Sequence, residues 1–77
     1  MEDEQEGRRE SSLRLTHPSL EFWVNVDVQE KDGVWKAVAH LAGEEDVGVG
    51  ASPRAAVRRS LASLGERLAR EMAEGFD

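Results

Sequence analysis

The stretch Glu21-Phe22-Trp23-Val24-Asn25-Val26-Asp27-Val28-Gln29-Glu30, then Lys31-Asp32-Gly33, then Val34-Trp35-Lys36-Ala37-Val38-Ala39-His40-Leu41 decides the fold. In its first part Phe22, Val24, Val26 and Val28 alternate with Trp23, Asn25, Asp27 and Gln29. Strict period-2 alternation of β-branched and aromatic residues is the mark of a half-buried strand. Asp-Gly between two such runs signals a tight hairpin, because glycine accepts positive φ without a Cβ clash. The return run places Trp35, Ala37, Ala39 and Leu41 on one face and Val34, Lys36, Val38 and His40 on the other.

Working outward toward the C-terminus, Gly43 to Asp46 reads as an acidic turn. A short third strand is expected over residues 46–50, with Val47 and Val49 inward. Gly48 and Gly50 make it an edge or a point of close approach. Ser52-Pro53 reads as a helix start, with Ser as N-cap and Pro at the first helical position. Val57, Leu61, Leu64, Leu68 and Met72 then recur at helical spacing. Gly65 interrupts the stripe, through close packing on the sheet or an early helix end. Arg59, Ser63, Glu66 and Arg70 lie opposite.

Toward the N-terminus, residues 1–12 show no periodicity and are rich in Glu, Arg, Gln and Ser, the composition of a disordered tail. Thr16-His17-Pro18-Ser19 is loop chemistry. The expected organisation is a weakly ordered tail over 1–19 and one domain over 20–77. Its fold class is α+β: a three-stranded antiparallel meander with one C-terminal amphipathic helix on one face, β-β-β-α.

At 77 residues the core is small, and without cysteine neither disulfides nor thiolate metal sites can reinforce it. Oligomerisation is the remaining route, so a homodimer is expected. No run approaches the roughly 18 apolar residues of a membrane span, and the acidic start is unlike a secretion signal. A cytoplasmic location with no membrane partner follows. The net charge is −6, with residues 1–19 summing to −2, 20–50 to −5 and 51–77 to +1. Such a field repels polyphosphate and suits a basic protein partner better than nucleic acid.

Catalysis finds little footing in these residues. His17 sits in a loop and His40 on a strand, with no cysteine and no Gly-x-Ser-x-Gly turn. Asp27 with Glu44-Glu45-Asp46 could gather around a hard cation, but the spacing is not that of a calcium loop, and a solvated acidic turn is the simpler reading. Gly48-Val49-Gly50 lacks the length and lysine of a phosphate loop. The reading is therefore no catalytic residue, no metal and no cofactor. Two surfaces remain for a partner. One is the open sheet face, with Trp23, Asn25, Val34, Val38 and His40, unless the N-terminal segment folds back and covers Trp23 with Leu13, Leu15 or Leu20. The other is the helix start, where Arg54, Arg58 and Arg59 suit an anion or RNA.

Asp32-Gly33-Val34-Trp35-Lys36-Ala37, the corner Leu41-Ala42-Gly43 and Gly50-Ala51-Ser52 before the helix resemble the HicB-like antitoxins over residues 22–68. The resemblance implies a partial ribonuclease-H-like β-β-β-α fold without its active site, often dimeric, that neutralises a small basic ribonuclease toxin. Ala42 stands where that pattern has Pro, and Arg54-Ala55 where acidic residues are common. A second run, Gly48-Val49-Gly50-Ala51-Ser52-Pro53-Arg54, resembles the approach to the last helix of double-stranded-RNA-binding domains. That resemblance would imply RNA contacts from Arg54, Arg58 and Arg59.

Overall fold

The computed structural model describes residues 8–76. Four strands are followed by two short helices: β1 Arg8–Leu15, β2 Val24–Lys31, β3 Val34–Leu41, β4 Glu44–Gly50, α1 Pro53–Ser60 and α2 Glu66–Ala73, with a single 3-10 turn at Ala62–Leu64 between the helices. The sheet is antiparallel throughout, in the order β1-β2-β3-β4. The class is α+β as expected, but the sheet has four strands where three were expected, and two helices replace one. Among the described residues no helix is long and apolar enough to cross a membrane.

The extra strand, β1, lies inside the stretch read as tail. Residues 1–7 of that stretch fall outside the described residues. Its sequence, Arg-Arg-Glu-Ser-Ser-Leu-Arg-Leu, carries no alternation strong enough to announce a strand. It forms by completing the hydrogen-bonding ladder on the free edge of β2, in an unbroken register from Arg8 opposite Lys31 to Leu15 opposite Val24.

Both remaining hairpins close with two residues in left-handed conformation. Asp32 and Gly33 have φ of 55° and 80°, and Ala42 and Gly43 have φ of 47° and 87°. This is the tight turn whose twist matches that of the strands it joins. The second one corrects the expectation of an acidic turn at Gly43–Asp46. The turn is Ala42-Gly43, so β4 begins two residues early, at Glu44, and the acidic residues become strand residues.

The same shift explains a reversal of facing in β4. Register pairs Ala37 with Gly48 and Ala39 with Asp46, which turns Gly48 toward the helices and Val47 and Val49 away from them. The two valines, expected inward, are 54 % and 48 % exposed. The physical reason is the approach of α1. A Cβ at Gly48 would stand 2.3 Å from the Ala56 carbonyl oxygen and 2.4 Å from the Ser60 amide nitrogen. Only a residue without a side chain lets the helix backbone come this near. Hydrophobicity alone points the valines inward, but helix contact requires the glycine there.

Helix α1 opens as expected. The Ser52 hydroxyl accepts from the Ala55 amide at 3.1 Å, with Pro53 at the first position. It ends after eight residues, and Gly65 then adopts φ 102° and ψ 148°, a region that residues with a Cβ avoid. No atom lies within 4 Å of where its Cβ would be. Of the two explanations for Gly65, the break is the right one. α2 then folds back onto α1, and Arg58 bridges to Glu66 at 3.1 Å across the bend.

The core joins Val24, Val26 and Val28 of β2 and Ala37, Ala39 and Leu41 of β3 to Ala56, Val57, Leu61, Ala69, Met72 and Ala73 of the helical layer. Alanines on β3 and Gly48 on β4 form a shallow trough, and α1 lies in it. The helix therefore covers β3 and β4 and reaches only the near side of β2. Leu13 of β1, on the same face of the sheet as Val26, stays 40 % exposed.

Candidate functional site

Among the described residues no second layer covers the face of the sheet away from the helices. Register sorts its side chains into rows that cross all four strands. Arg14, Asn25, His40 and Glu45 make one row, Ser12, Asp27, Val38 and Val47 the next, and Glu10, Gln29, Lys36 and Val49 a third. The β1–β2 half of the face is thus polar, and the β3–β4 half sets Val38, Val47 and Val49 among His40, Glu45 and Lys36.

A hydrogen-bonded chain links the first two rows. The Ser12 hydroxyl donates to Asp27 Oδ1 at 2.7 Å. His40 Nε2 donates to Asp27 Oδ2 at 3.0 Å, and His40 Nδ1 lies 3.4 Å from Glu45 Oε2. The Ser12 hydrogen bond, with that from His40 second, holds the Asp27 carboxyl below its ordinary range. The order of the three groups limits the chemistry. Nucleophilic activation sets the imidazole between hydroxyl and carboxylate. Here the carboxylate sits in the middle, and a carboxylate of lowered pKa is a poor acceptor for a hydroxyl proton. The arrangement suits positioning of polar groups on a surface, and protonation of His40 would give Glu45 a donor as well.

The acidic run 44–46 is split by the pleat. Glu45 joins His40 on the open face, whereas Asp46 turns to the helical side and accepts from the Ser63 hydroxyl at 2.7 Å. Among the described residues no group of three or more His, Asp or Glu side chains is placed to hold a metal ion.

Of the residues expected to form an interface, Asn25 and His40 stand directly opposite each other. Val38 lies in the next row, opposite Val47. Val34, 51 % exposed, stands diagonal to Val49 near the hairpin end. Trp23 is separate from these valines. It lies one position before Val24, at the opposite end of the strands, roughly 25 Å from Val34 at about 3.3 Å per residue. The five residues therefore do not form one patch. Val34 and Val38 join Val47 and Val49 in a valine strip along β3–β4, broken by Lys36 opposite Val49, while Trp23, Asn25 and His40 form a polar-aromatic end. Val47 and Val49 were missed as surface residues because their facing depends on the Ala42-Gly43 turn.

β1 does fold back beside Trp23, but no leucine covers the ring. Leu13 and Leu15 share the face of Val26 and Val24, and Leu15 and Leu20 pack against the core. The residue that meets Trp23 is Arg14, its guanidinium carbon 4.5 Å from the ring centroid. Such a cation–π contact is worth about 0.5–1 kcal/mol at an exposed site. It leaves Trp23 55 % exposed.

His17, the other histidine, uses both ring nitrogens within the chain. Nδ1 accepts from the Ser19 amide at 3.0 Å, and Nε2 donates to Glu71 at 2.8 Å. It fastens the β1–β2 connection to α2.

The three arginines at the helix start also have work inside the fold. Arg54 donates to the Phe76 carbonyl at 2.8 Å and to that of Glu74, taking up acceptors left over beyond the end of α2. Arg58 makes the bridge to Glu66, and Arg59 donates to the Val49 carbonyl on β4. Arg58 and Arg59 line one shallow groove with Ala62, Glu66 and Ala69, while Arg54 is turned to the carbonyls beyond α2.

No family model matches this chain, and no curated protein or solved structure matches it either.

Proposed function

We propose that this chain is a non-catalytic protein-interaction domain whose open sheet face receives a basic protein. A small ribonuclease toxin of the kind implied by the HicB-like resemblance is the first partner to try. The observation that carries the reading is the placement of exposed hydrophobic side chains. Of the six large hydrophobics that are exposed among the described residues, Val34, Val47 and Val49 lie along β3–β4 on the face that no described helix covers, and Trp23 lies toward the far end of that same face. Apolar groups bordered by polar ones on an uncovered face are the usual anatomy of a binding surface, and the valines and Trp23 offer two such contacts with polar rows between them. Asp27 and Glu45 within that rim, on a chain of net charge −6, favour a partner with exposed lysine or arginine.

The RNA reading draws less support. Arg54, Arg58 and Arg59 each bind a group of this chain, and a strand, β1, precedes β2 where an RNA-binding domain of that type would need a helix.

The test mixes the chain with a small basic ribonuclease from a neighbouring reading frame and follows RNA cleavage. Inhibition is expected, with the apparent Kd raised about tenfold or more by Trp23→Ala or Val47→Asp while circular dichroism is unchanged. Parallel binding to duplex RNA at about 50 and 200 mM salt gives the opposing outcome. Tight association that collapses with salt would mean phosphate recognition and would defeat the proposal.

A further inference from the structure

The sheet ends at β1 on one side and at β4 on the other, and the two edges differ. On β4 the Val49 carbonyl is already bound by Arg59, and α1 lies over the strand. On β1 the helical layer does not extend over the strand, and the register with β2 runs eight residues without a bulge. No proline or glycine interrupts Arg8–Leu15. An edge of this kind offers a row of backbone donors and acceptors to another strand. Its charged side chains decide which strand fits.

We propose that two copies of this chain join through β1, antiparallel, with Ser12 facing Ser12 of the second copy. Two antiparallel copies related by a two-fold axis normal to the sheet must set some residue against itself, because opposite residues in a ladder point to the same side. Centring on Ser12 places Glu10 opposite Arg14 and, by symmetry, Arg14 opposite Glu10. Two opposite-charge pairs then flank the axis on the open face, where Glu10 and Arg14 both stand exposed. Centring on Ser11 instead sets Glu10 opposite Ser12 and forfeits both opposite-charge pairs. Centring on Leu13 leaves only five paired positions and no opposite charges. The charge pattern along β1 thus selects one register, and its self-complementarity identifies the occupant as a second copy. In that register the open faces of both copies lie on the same side of one eight-stranded sheet. Leu13, half exposed beside the core, comes to lie opposite Ser11 of the second copy. The pairing uses the strand edge and leaves the valines of β3–β4 uncovered, while Arg14 takes part both in it and in the contact with Trp23.

Sedimentation equilibrium of the full chain, wild type against charge reversals, tests this. Wild type is expected to dimerise at micromolar to millimolar concentration, as befits a small interface. Glu10→Arg alone and Arg14→Glu alone should each weaken self-association about tenfold or more, by turning two attractions into two repulsions. The double variant Glu10→Arg/Arg14→Glu should restore it. Circular dichroism confirms that each variant is folded, and Glu10→Arg leaves the Trp23 contact untouched. A wild type that stays monomeric at millimolar concentration overturns the proposal. So does a dimer whose strength is indifferent to the single reversals, or one that the double variant fails to rescue. Inhibition of the ribonuclease is read separately with Glu10→Arg, which leaves the Arg14–Trp23 contact in place, so loss of self-association with inhibition intact distinguishes this proposal from the preceding one.

Discussion

Replacing Gly48 with alanine adds one methyl group at the narrowest point of the fold, and its cost can be worked from the distances. The new Cβ would lie 2.3 Å from the Ala56 carbonyl oxygen, 2.4 Å from the Ser60 amide nitrogen and 2.7 Å from Arg59 Cβ, where ordinary contact begins at 3.4 Å. Two of these three atoms belong to the α1 backbone and cannot swing aside as a side-chain end would. α1 must therefore retreat from β4 by about 1 Å, the shortfall at the Ala56 oxygen. Overpacking of this sort costs about 1–3 kcal/mol by itself. The retreat also opens a gap beneath Ala56, Val57 and Leu61, all fully buried, and a gap of 0.5–1 Å forfeits roughly a quarter to a half of each contact's dispersion energy. The gain from alanine's smaller backbone entropy, about 0.5–1 kcal/mol, works the other way but is smaller. The net expectation is a loss of about 3 kcal/mol, a large share of the roughly 4–12 kcal/mol that a chain of this length commands. Urea unfolding followed by far-UV circular dichroism measures it. Gly50→Ala, whose nearest conflict is the Ala55 methyl at 2.7 Å, should fall between Gly48→Ala and Gly75→Ala, which meets nothing within 4 Å. If Gly48→Ala unfolds within about 0.5 kcal/mol of wild type, α1 does not rest on the β4 backbone and the inward facing of Gly48 is wrong.

The Ala42-Gly43 turn predicts a gain. Ala42 holds φ 47°, where a Cβ costs about 1–2 kcal/mol, so Ala42→Asn or Ala42→Gly should raise Tm by about 4–8 °C per kcal/mol recovered; a lowered Tm would contradict the turn geometry. Asp27 and Glu71 both have folded pKa values depressed below the ordinary 3.8 and 4.5, by hydrogen bonds from Ser12 and His40 and from His17 and Arg67 respectively. Groups shifted this way add stability above their unfolded pKa and lose it as pH falls through the folded one, so the small contribution of these two exposed carboxylates should disappear below about pH 4. Carboxyl NMR titration should place the Asp27 midpoint below 3.8, and Ser12→Ala should raise it more than His40→Gln does; an unmoved midpoint in Ser12→Ala removes the hydrogen bond from the account.

How much of this was legible in the sequence depends on whether the determining interaction is local. The β2–β3 hairpin is written into Val24-Asn25-Val26-Asp27-Val28 and Asp32-Gly33, because alternation and the turn residue act within a few positions. Ser52-Pro53 is equally local, and the cap forms as read. The second turn lies at Ala42-Gly43, one residue before the expected stretch 43–46 and two residues shorter than it. Alanine is a poor candidate for left-handed backbone, and the acidic residues after it look more turn-like than they are. β1 was missed for a different reason. Its strand character comes from the unpaired edge of β2, a property of the neighbouring segment. The break at Gly65 was visible as a glycine, but its conformation is set by the need to turn α2 back over α1.

The candidate site depends on these same non-local facts. Trp23 could be singled out from composition, but its contact with Arg14 and the polar row through Ser12, Asp27 and His40 exist only because β1 pairs with β2. The valine strip exists only because Gly48 faces the helix and turns Val47 and Val49 outward. Two choices made at the helical layer therefore shape the opposite face. The trough under α1 fixes the facing of β4, and because α1 does not reach β1 that strand is held by its ladder to β2, by Leu15 against the core and by Ser12 and Arg14. Since Ser12 and Arg14 are also the groups that β1 contributes to the open face, a partner bound across the polar rows must stabilise β1 against β2. A substitution that weakens β1 should correspondingly weaken binding without touching the partner. The surface and the strand that completes it form one thermodynamic unit.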